Sequence, residues 1–420
     1  MARLEHIHYE FFCATLGDRA DIVWLPESKK PIEGLPQIFW EDSRGWDEAN
    51  QWALERAASG TVKIETVRRT MKHLNVYATF LEACNTDWRH FPVSKKDQVL
   101  RKFRKHLIDE RDAGRLASST ASGCMSTIIQ FYRFASSNHL VEPLVPMWIE
   151  RLAYISSYDA AGFKRALVRL STDLAIPNRR SLGKRLEDGL TPLRSEHMGE
   201  LLSYTAKQET TELHLMLSTG FFTGARVGTI VTLTVSSLQT ARQDPLTPRI
   251  YLLPVGPGTA IATKFSVSGD IRVPEAILND LKAYAFSTRR LLREAKAGRE
   301  DKNVLFLSRF GRPYTVRSVG RLVGQMRLRA VAKGMQFMRH FKFHQSRATF
   351  GTWLMELMLN CASTTDAVRE VRDAMLHKDE KTTLGYIHFL EATRAKSEAA
   401  EAFNEAFTGF RHRDWDQANV

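Results

Sequence analysis

Cysteine is scarce and scattered. The 420 residues hold four, Cys13, Cys84, Cys124 and Cys361, with no C-x-x-C pair. That spacing argues against a zinc site and against a disulfide framework, and it suits a reducing cytoplasm. No apolar run approaches the roughly 20 residues of a membrane span. The opening MARLEHIHYEFFCATLGDRAD lacks the apolar core of a secretory signal, so no membrane partner is expected. There is no carboxylate cluster to hold magnesium, no internal repeat and no low-complexity tract. Acid itself is short: 47 Asp and Glu face 60 Lys and Arg, a net charge of +13. This favours a polyanionic partner, nucleic acid before a membrane surface. The excess is also concentrated. Residues 281–350 carry 17 Lys and Arg against 3 Asp and Glu.

What is present reads as a soluble globular chain, 43% apolar and 25% charged, too long for one ordinary core. The expected fold is mainly α with a small antiparallel β-sheet. Residues 1–60 read as an N-terminal extension, with loop at LPESKKPIEGLP (25–36) and a short helix at WDEANQWALERAASG (46–60). Residues 61–155 read as a helical domain. Val67, Met71, Leu74, Ala78 and Leu81 recur at helical spacing on one face. A second helix, 118–140, opens on a Ser/Thr cluster suited to capping. Its other face offers Ser119, Thr120 and Ser122, with Arg133 further on. These side chains either donate to phosphate oxygens or form an ordinary exposed face. Residues 156–189, including NRRSLGKRLEDG, read as a basic linker. A second domain, 190–395, begins at LTPLRSEHMGELL, where Ser195 is placed to cap a helix. Strand character marks 249–258, 260–268 and 270–274, and the pattern is helical from there on. Residues 396–420 read as a helical tail, with Phe403 and Phe407 one turn apart.

Four features of the second domain carry chemistry: Arg226 in TGARVGTIVTL (223–233), Lys264 beside a turn between strands, His344 and Arg347 in FHQSRATFGTW (343–353), and His377 with Tyr386 in AMLHKDEKTTLGYIHF (374–389). Singly each is ordinary. H-x-x-R is common in basic chains, and a lysine in a turn is usually surface. Together they supply the parts for breaking a phosphodiester without a metal. Two arginines can clamp a phosphate and neutralise charge on its non-bridging oxygens. A phenol can attack, although its ordinary pKa near 10 demands nearby positive charge and a proton acceptor. One histidine can be that acceptor and another can donate to the phosphate. A lysine can protonate the departing sugar oxygen.

In that order, Arg, Lys, H-x-x-R, His, Tyr, the chain resembles the tyrosine recombinase (phage integrase) family over about residues 61–390. The resemblance implies a helical core-DNA-binding domain followed by a mixed α/β catalytic domain. It implies that Arg226, Lys264, His344, Arg347, His377 and the nucleophile Tyr386 are catalytic. The implied activity is site-specific cleavage and rejoining of double-stranded DNA through a 3′-phosphotyrosyl link, for a bacterial mobile element. No cofactor and no metal are implied. The active form would be a tetramer on two DNA sites, with the tail exchanged between protomers, in the cytoplasm at the nucleoid. Ser119, Thr120, Ser122 and Arg133 then become candidate DNA contacts, joined by Arg179, Arg180 and Lys184 of the linker and by Arg272. The chain departs from the family in four places, one of them Gly385 just before Tyr386. Thr229 stands where an acidic residue is usual, and Leu376 stands in place of the glycine before His377. LNCASTTD (359–366) is extra. The competing readings are a DNA-binding protein of the same fold with decayed cleavage, and a type IB topoisomerase.

Overall fold

The computed structural model describes residues 1–16, 21–158, 164–178, 186, 190–378, 382–391 and 393. The chain divides into two units, residues 1–157 with 164–182, and residues 158–163 with 183 onward.

The first unit opens with four strands, β1 (Arg3–Tyr9), β2 (Phe12–Leu16), β3 (Ile22–Pro26) and β4 (Ile32–Phe39). They form two antiparallel pairs, β1 with β4 and β2 with β3. The stretch 25–36, read from sequence as loop, is therefore partly strand. Pro36 is accommodated because a two-stranded sheet has only edge strands. Four helices follow: α1 (Asp47–Ala58), α2 (Ile64–Ala83), α3 (Val99–Asp112) and α4 (Ser118–Ser137). The five apolar residues predicted to share the α2 face are all buried. Residues 1–60 are not a separate extension, because Ile38, Trp46 and Trp52 belong to the same core as α2 to α4. Trp46 packs against the rings of Tyr77, Trp88 and Phe131, a large apolar contribution near the chain start. Burial in this core pushes the Cys124 thiol up to about 12, which keeps it an unreactive thiol. Residues 150–172 hold β5 (Glu150–Tyr158) and β6 (Lys164–Thr172), paired with each other. The sequence reading has helix and then linker here. The segments LAYISSY and ALVRLST are rich in β-branched and aromatic residues, and the charge between them masked that signal.

The second unit begins with α5 (Ser195–Gln208) and α6 (Thr211–Thr223). Ser195 is the first helical residue of α5, and its N-cap is Arg194, without a side-chain cap bond. Two short helices, α7 (Val227–Ile230) and α8 (Val235–Gln239), lead into an antiparallel sheet of β7 (Arg242–Gln243), β8 (Ile250–Val255) and β9 (Gly269–Pro274). Val255 pairs with Gly269, so residues 256–268 are a loop and the strand expected over 260–268 is absent. The remaining helices are α9 (Glu275–Ala285), α10 (Thr288–Glu294), α11 (Val316–Ala332), α12 (Gln345–Cys361) and α13 (Thr364–Ala374), and residues 382–391 are again helical. The expected mainly α fold with a small antiparallel sheet is what the structure has. Its larger core gathers Leu213, Met216 and Phe221 of α6 with Leu253, Ile271, Leu278, Phe306 and Met326. A smaller one joins α12, α13 and Tyr386.

The basic window 281–350 is less of a surface than its composition implies. Arg290 is 1% exposed and donates to the carbonyls of Leu305, Lys302 and Val304. Arg329 pairs with Glu209. Arg289 and Arg293 converge on the fully buried Glu212, at 2.7 and 2.8 Å, and Tyr284 donates to the same carboxylate at 3.0 Å. Burial alone would raise the Glu212 pKa, but the two guanidiniums outweigh it and hold the carboxyl below its ordinary value of 4.5. A depressed folded-state pKa gives stability that is present above the unfolded value and lost as pH falls through the folded one. Glu212→Gln, which leaves two arginines facing a neutral amide, is expected to cost roughly 3–5 kcal/mol at pH 7. The deficit should shrink in acid, as the wild-type carboxyl itself protonates. Guanidinium unfolding at pH 7 and below pH 4 checks this, and equal stabilities at pH 7 would contradict it.

Candidate active site

Arg226 is placed by a turn that only glycine makes easily. Gly224 ends α6 with φ +65°, and a Cβ there would lie 2.4 Å from the Phe350 ring. Both the left-handed backbone and the close helix contact require its missing side chain. The chain then re-enters helix at α7 with Arg226 as its N-cap. Thr229 is buried in the first turn beyond, its N–H donating to the Arg226 carbonyl at 2.8 Å.

Lys264 lies on the β8–β9 loop. The Thr263 hydroxyl closes the turn by donating to the Val267 carbonyl at 2.6 Å. Thr232, just beyond α7, accepts from the Ala262 N–H at 3.0 Å and so ties the lysine loop to the Arg226 segment. No sequence signal singled out Thr232 or Thr263.

His344 is the N-cap of α12, half-buried, and Arg347 lies within the first turn, 2% exposed. The Arg347 guanidinium donates to the Gly224 carbonyl at 2.7 Å and to the Met375 carbonyl at 2.6 Å. It thus bridges the turns that carry Arg226 and His377.

The turn after α13 contains Leu376, at φ +50°. This is the left-handed conformation for which the resembled family uses glycine. Leucine pays strain here, and its side chain packs against Gly269, whose added Cβ would meet Leu376 Cδ2 at 2.4 Å. The substitution therefore couples the His377 turn to the lysine hairpin. His377 is buried, with Nδ1 2.8 Å from the Thr383 hydroxyl. Thr383 was legible only as half of the T-T pair between His377 and Tyr386. Its bond fixes the imidazole through Nδ1, so proton exchange with a reacting oxygen falls to Nε2. Tyr386 is fully buried, its ring stacked on His377 at 6.1 Å between centroids. It seats against α12 at Gly351, where a Cβ would come within 2.7 Å of Tyr386 Cε1 and 2.5 Å of Met375 Sδ.

Arg226, Lys264 and Arg347 line one small cavity together with Thr229 and Met375. Arg226, Lys264 and His377 line the adjoining one. Tyr386 reaches this group through His377, and His344 lies one helical turn from Arg347. Among the described residues no group of three or more His, Cys, Asp or Glu could hold a metal ion.

The proposed DNA contacts divide. Ser119 and Thr120 are exposed and Ser122 half-buried at the start of α4. Arg133 is engaged by Glu150 at 3.0 Å and lies 6.0 Å from the Trp148 ring centre. Arg272 forks onto Glu370 at 3.1 and 2.9 Å, so its guanidinium is turned to a carboxylate of α13. Arg179, Arg180, Lys184 and the tail 396–420 lie outside the described residues.

Among curated proteins none matches the chain. Among solved structures, the Tn1549 transposon integrase in complex with transposon right end DNA is 14% identical, with a TM-score of 0.49 over 84% of this chain and 98% of that one. A lambda integrase dimer bound to a COC′ core site is 13% identical, with a TM-score of 0.46 over 81% and 94%. A lambda integrase tetramer bound to a Holliday junction is 12% identical, with a TM-score of 0.45 over 81% and 75%. Residues 192–392 match the phage integrase family, a span that contains every one of the six side chains above. It is this match that places the second unit: residues 192–392 carry a phage integrase family domain.

Proposed function

We propose that the protein is a site-specific recombinase that cuts and rejoins double-stranded DNA through a phosphotyrosine at Tyr386. The observation that carries this reading is the shared cavity: two arginines and a lysine on three separate elements line one space, beside the His377–Tyr386 stack. Arg226 and Arg347 would clamp the non-bridging oxygens of the scissile phosphate. The Tyr386 oxygen would attack phosphorus and give up its proton to a histidine. The P–O5′ bond would break with Lys264 protonating the departing oxygen, leaving a 3′-phosphotyrosine and a free 5′-hydroxyl. A 5′-hydroxyl from the partner strand would reverse the step, so bond energy is retained without a nucleotide. Because Tyr386 is buried, attack requires the 382–391 helix to release its ring from the Gly351 seat. We place this activity in a mobile element, in the cytoplasm, with four protomers on two DNA sites.

Incubating the full-length protein with a library of nicked duplexes tests the reading. The library is randomised around the nick, so that the cut fragment diffuses away and covalent complexes accumulate. The expected product is a protease-sensitive adduct mapping to the peptide that carries Tyr386. Binding without an adduct would favour the decayed DNA-binding protein, and relaxation of plasmid without sequence preference would favour the topoisomerase.

Lys264→Ala should then cut normal DNA at least about 100-fold more slowly. On DNA with sulfur replacing the leaving 5′ oxygen the defect should largely vanish, since a thiolate departs without a proton. Single-turnover rates on the two substrates decide this, and equal defects would remove Lys264 from the general-acid role.

A further inference from the structure

The larger of the two cavities at the site, about 360 Å³, has walls of unlike character. One set is basic: Arg226, Lys264, His377 and Lys378. The other is apolar: Phe265, Val267 and Leu376, with Thr382 at the margin. A phosphate alone would need only the first set. Phe265 is the residue that calls for an explanation. It is 67% exposed, and it and Ser266 both adopt left-handed backbone, with φ +63° and +53°. For a bulky side chain this conformation is an outlier held by its surroundings. What holds it is the closed turn, through Thr263 and Val267, and the Thr232 tether to Ala262. Burial of the ring does not repay it. The fold thus spends strain on presenting an aromatic face outward, beside the cations. At present that face carries the Lys264 ammonium, 5.1 Å from the ring centre.

We propose that this cavity receives one unstacked nucleobase next to the scissile phosphate, with Phe265 as its stacking platform. The inference rests on the reading of Arg226, Lys264 and Tyr386 given above. An aromatic face, aliphatic side chains and a hydroxyl lining one cavity are what an extruded base requires. The volume is within the range of small-molecule sites. The cations hold the neighbouring phosphate. When Lys264 swings to the leaving oxygen, it vacates the ring face and the base takes its place.

The test uses the full chain and a site recovered from the nicked-duplex library. In Tyr386→Phe complexes, which do not cut, 2-aminopurine replaces the base on each side of the scissile phosphate in turn. Its fluorescence should change at one of the two positions only, and Phe265→Ala in the same background should abolish the change. In the cutting protein, Phe265→Ala should slow cleavage about 10- to 100-fold, the range expected for loss of one base stack. The slowing should be equal on oxygen and sulfur leaving groups, and Phe265→Trp should cut at near the wild-type rate. Unchanged 2-aminopurine at both positions would overturn the proposal while leaving the recombinase reading in place. So would rescue of Phe265→Ala by the sulfur substrate, since Phe265 would then merely position Lys264. If the library yields no adduct, both readings fall.

Discussion

Tyr386→Phe is expected to abolish the covalent protein–DNA complex while moving the melting temperature very little. The two effects separate because of where the ring lies. Tyr386 is fully buried among Ala348, Phe350, Met355, Val371 and Met375, and most of its contribution to stability is apolar contact. Phenylalanine keeps that contact and removes one hydroxyl, a near volume-conserving change that should cost less than about 1.5 kcal/mol. Tyr386→Ala, by contrast, would empty the seat on Gly351 and cost roughly 3–5 kcal/mol. Loss of adduct in the alanine variant alone would therefore say nothing about chemistry. The phenylalanine variant removes the only atom proposed to bond to phosphorus. Denaturing gels with labelled suicide substrate give the first measurement and thermal unfolding gives the second. An adduct that survives the substitution would place the nucleophile elsewhere.

The proposed catalytic set was legible as a candidate because its chemistry demands particular side chains in a particular order, and packing rarely supplies Arg, Lys, H-x-x-R, His and Tyr by accident. The faces of α2 and α4 were legible from periodicity. What sequence could not reveal was use. Arg272 looked like a cation for DNA, yet Glu370, far along the chain, takes its fork. The density of arginine over 281–350 looked like a surface charge, yet Arg289, Arg290 and Arg293 serve Glu212 and a set of buried carbonyls. Such pairings are set by tertiary approach, which local pattern does not carry. The same limit hid the strands in residues 1–40 and 150–172. Short two-stranded pairs need few residues, and Pro36 and the charged positions concealed their alternation. Phe265 escaped notice for a different reason. Its backbone conformation is imposed by Thr263 and Thr232, neither of which marks a turn by itself.

Arg347→Lys is expected to fail in two ways at once, although it conserves charge. The first is catalytic. A guanidinium presents a planar fork to two phosphate oxygens and an ammonium presents one point; losing one such donor typically costs about 10²–10³ in rate. The second is structural and comes from the geometry alone. One arginine nitrogen satisfies the Gly224 carbonyl and another the Met375 carbonyl, and both acceptors lie two residues before a side chain proposed as catalytic, Arg226 and His377. Lysine has three N–H donors, but they radiate from one point, so it should not span both carbonyls as the two guanidinium nitrogens do. One of the two would stay buried without its donor, at roughly 1–3 kcal/mol, and the turn it belongs to would be released. Arg226→Lys provides the contrast. Arg226 is half-buried at a helix N-cap, whereas Arg347 is 2% exposed, so that variant should lose cleavage with a smaller loss of stability. Denaturant unfolding and single-turnover cleavage of both variants separate the roles. If Arg347→Lys cuts within tenfold of wild type, the clamp role is wrong. If it is inactive but as stable as wild type, the bridge contributes nothing to the fold, and only the phosphate explains why a 2% exposed arginine stands between the two turns.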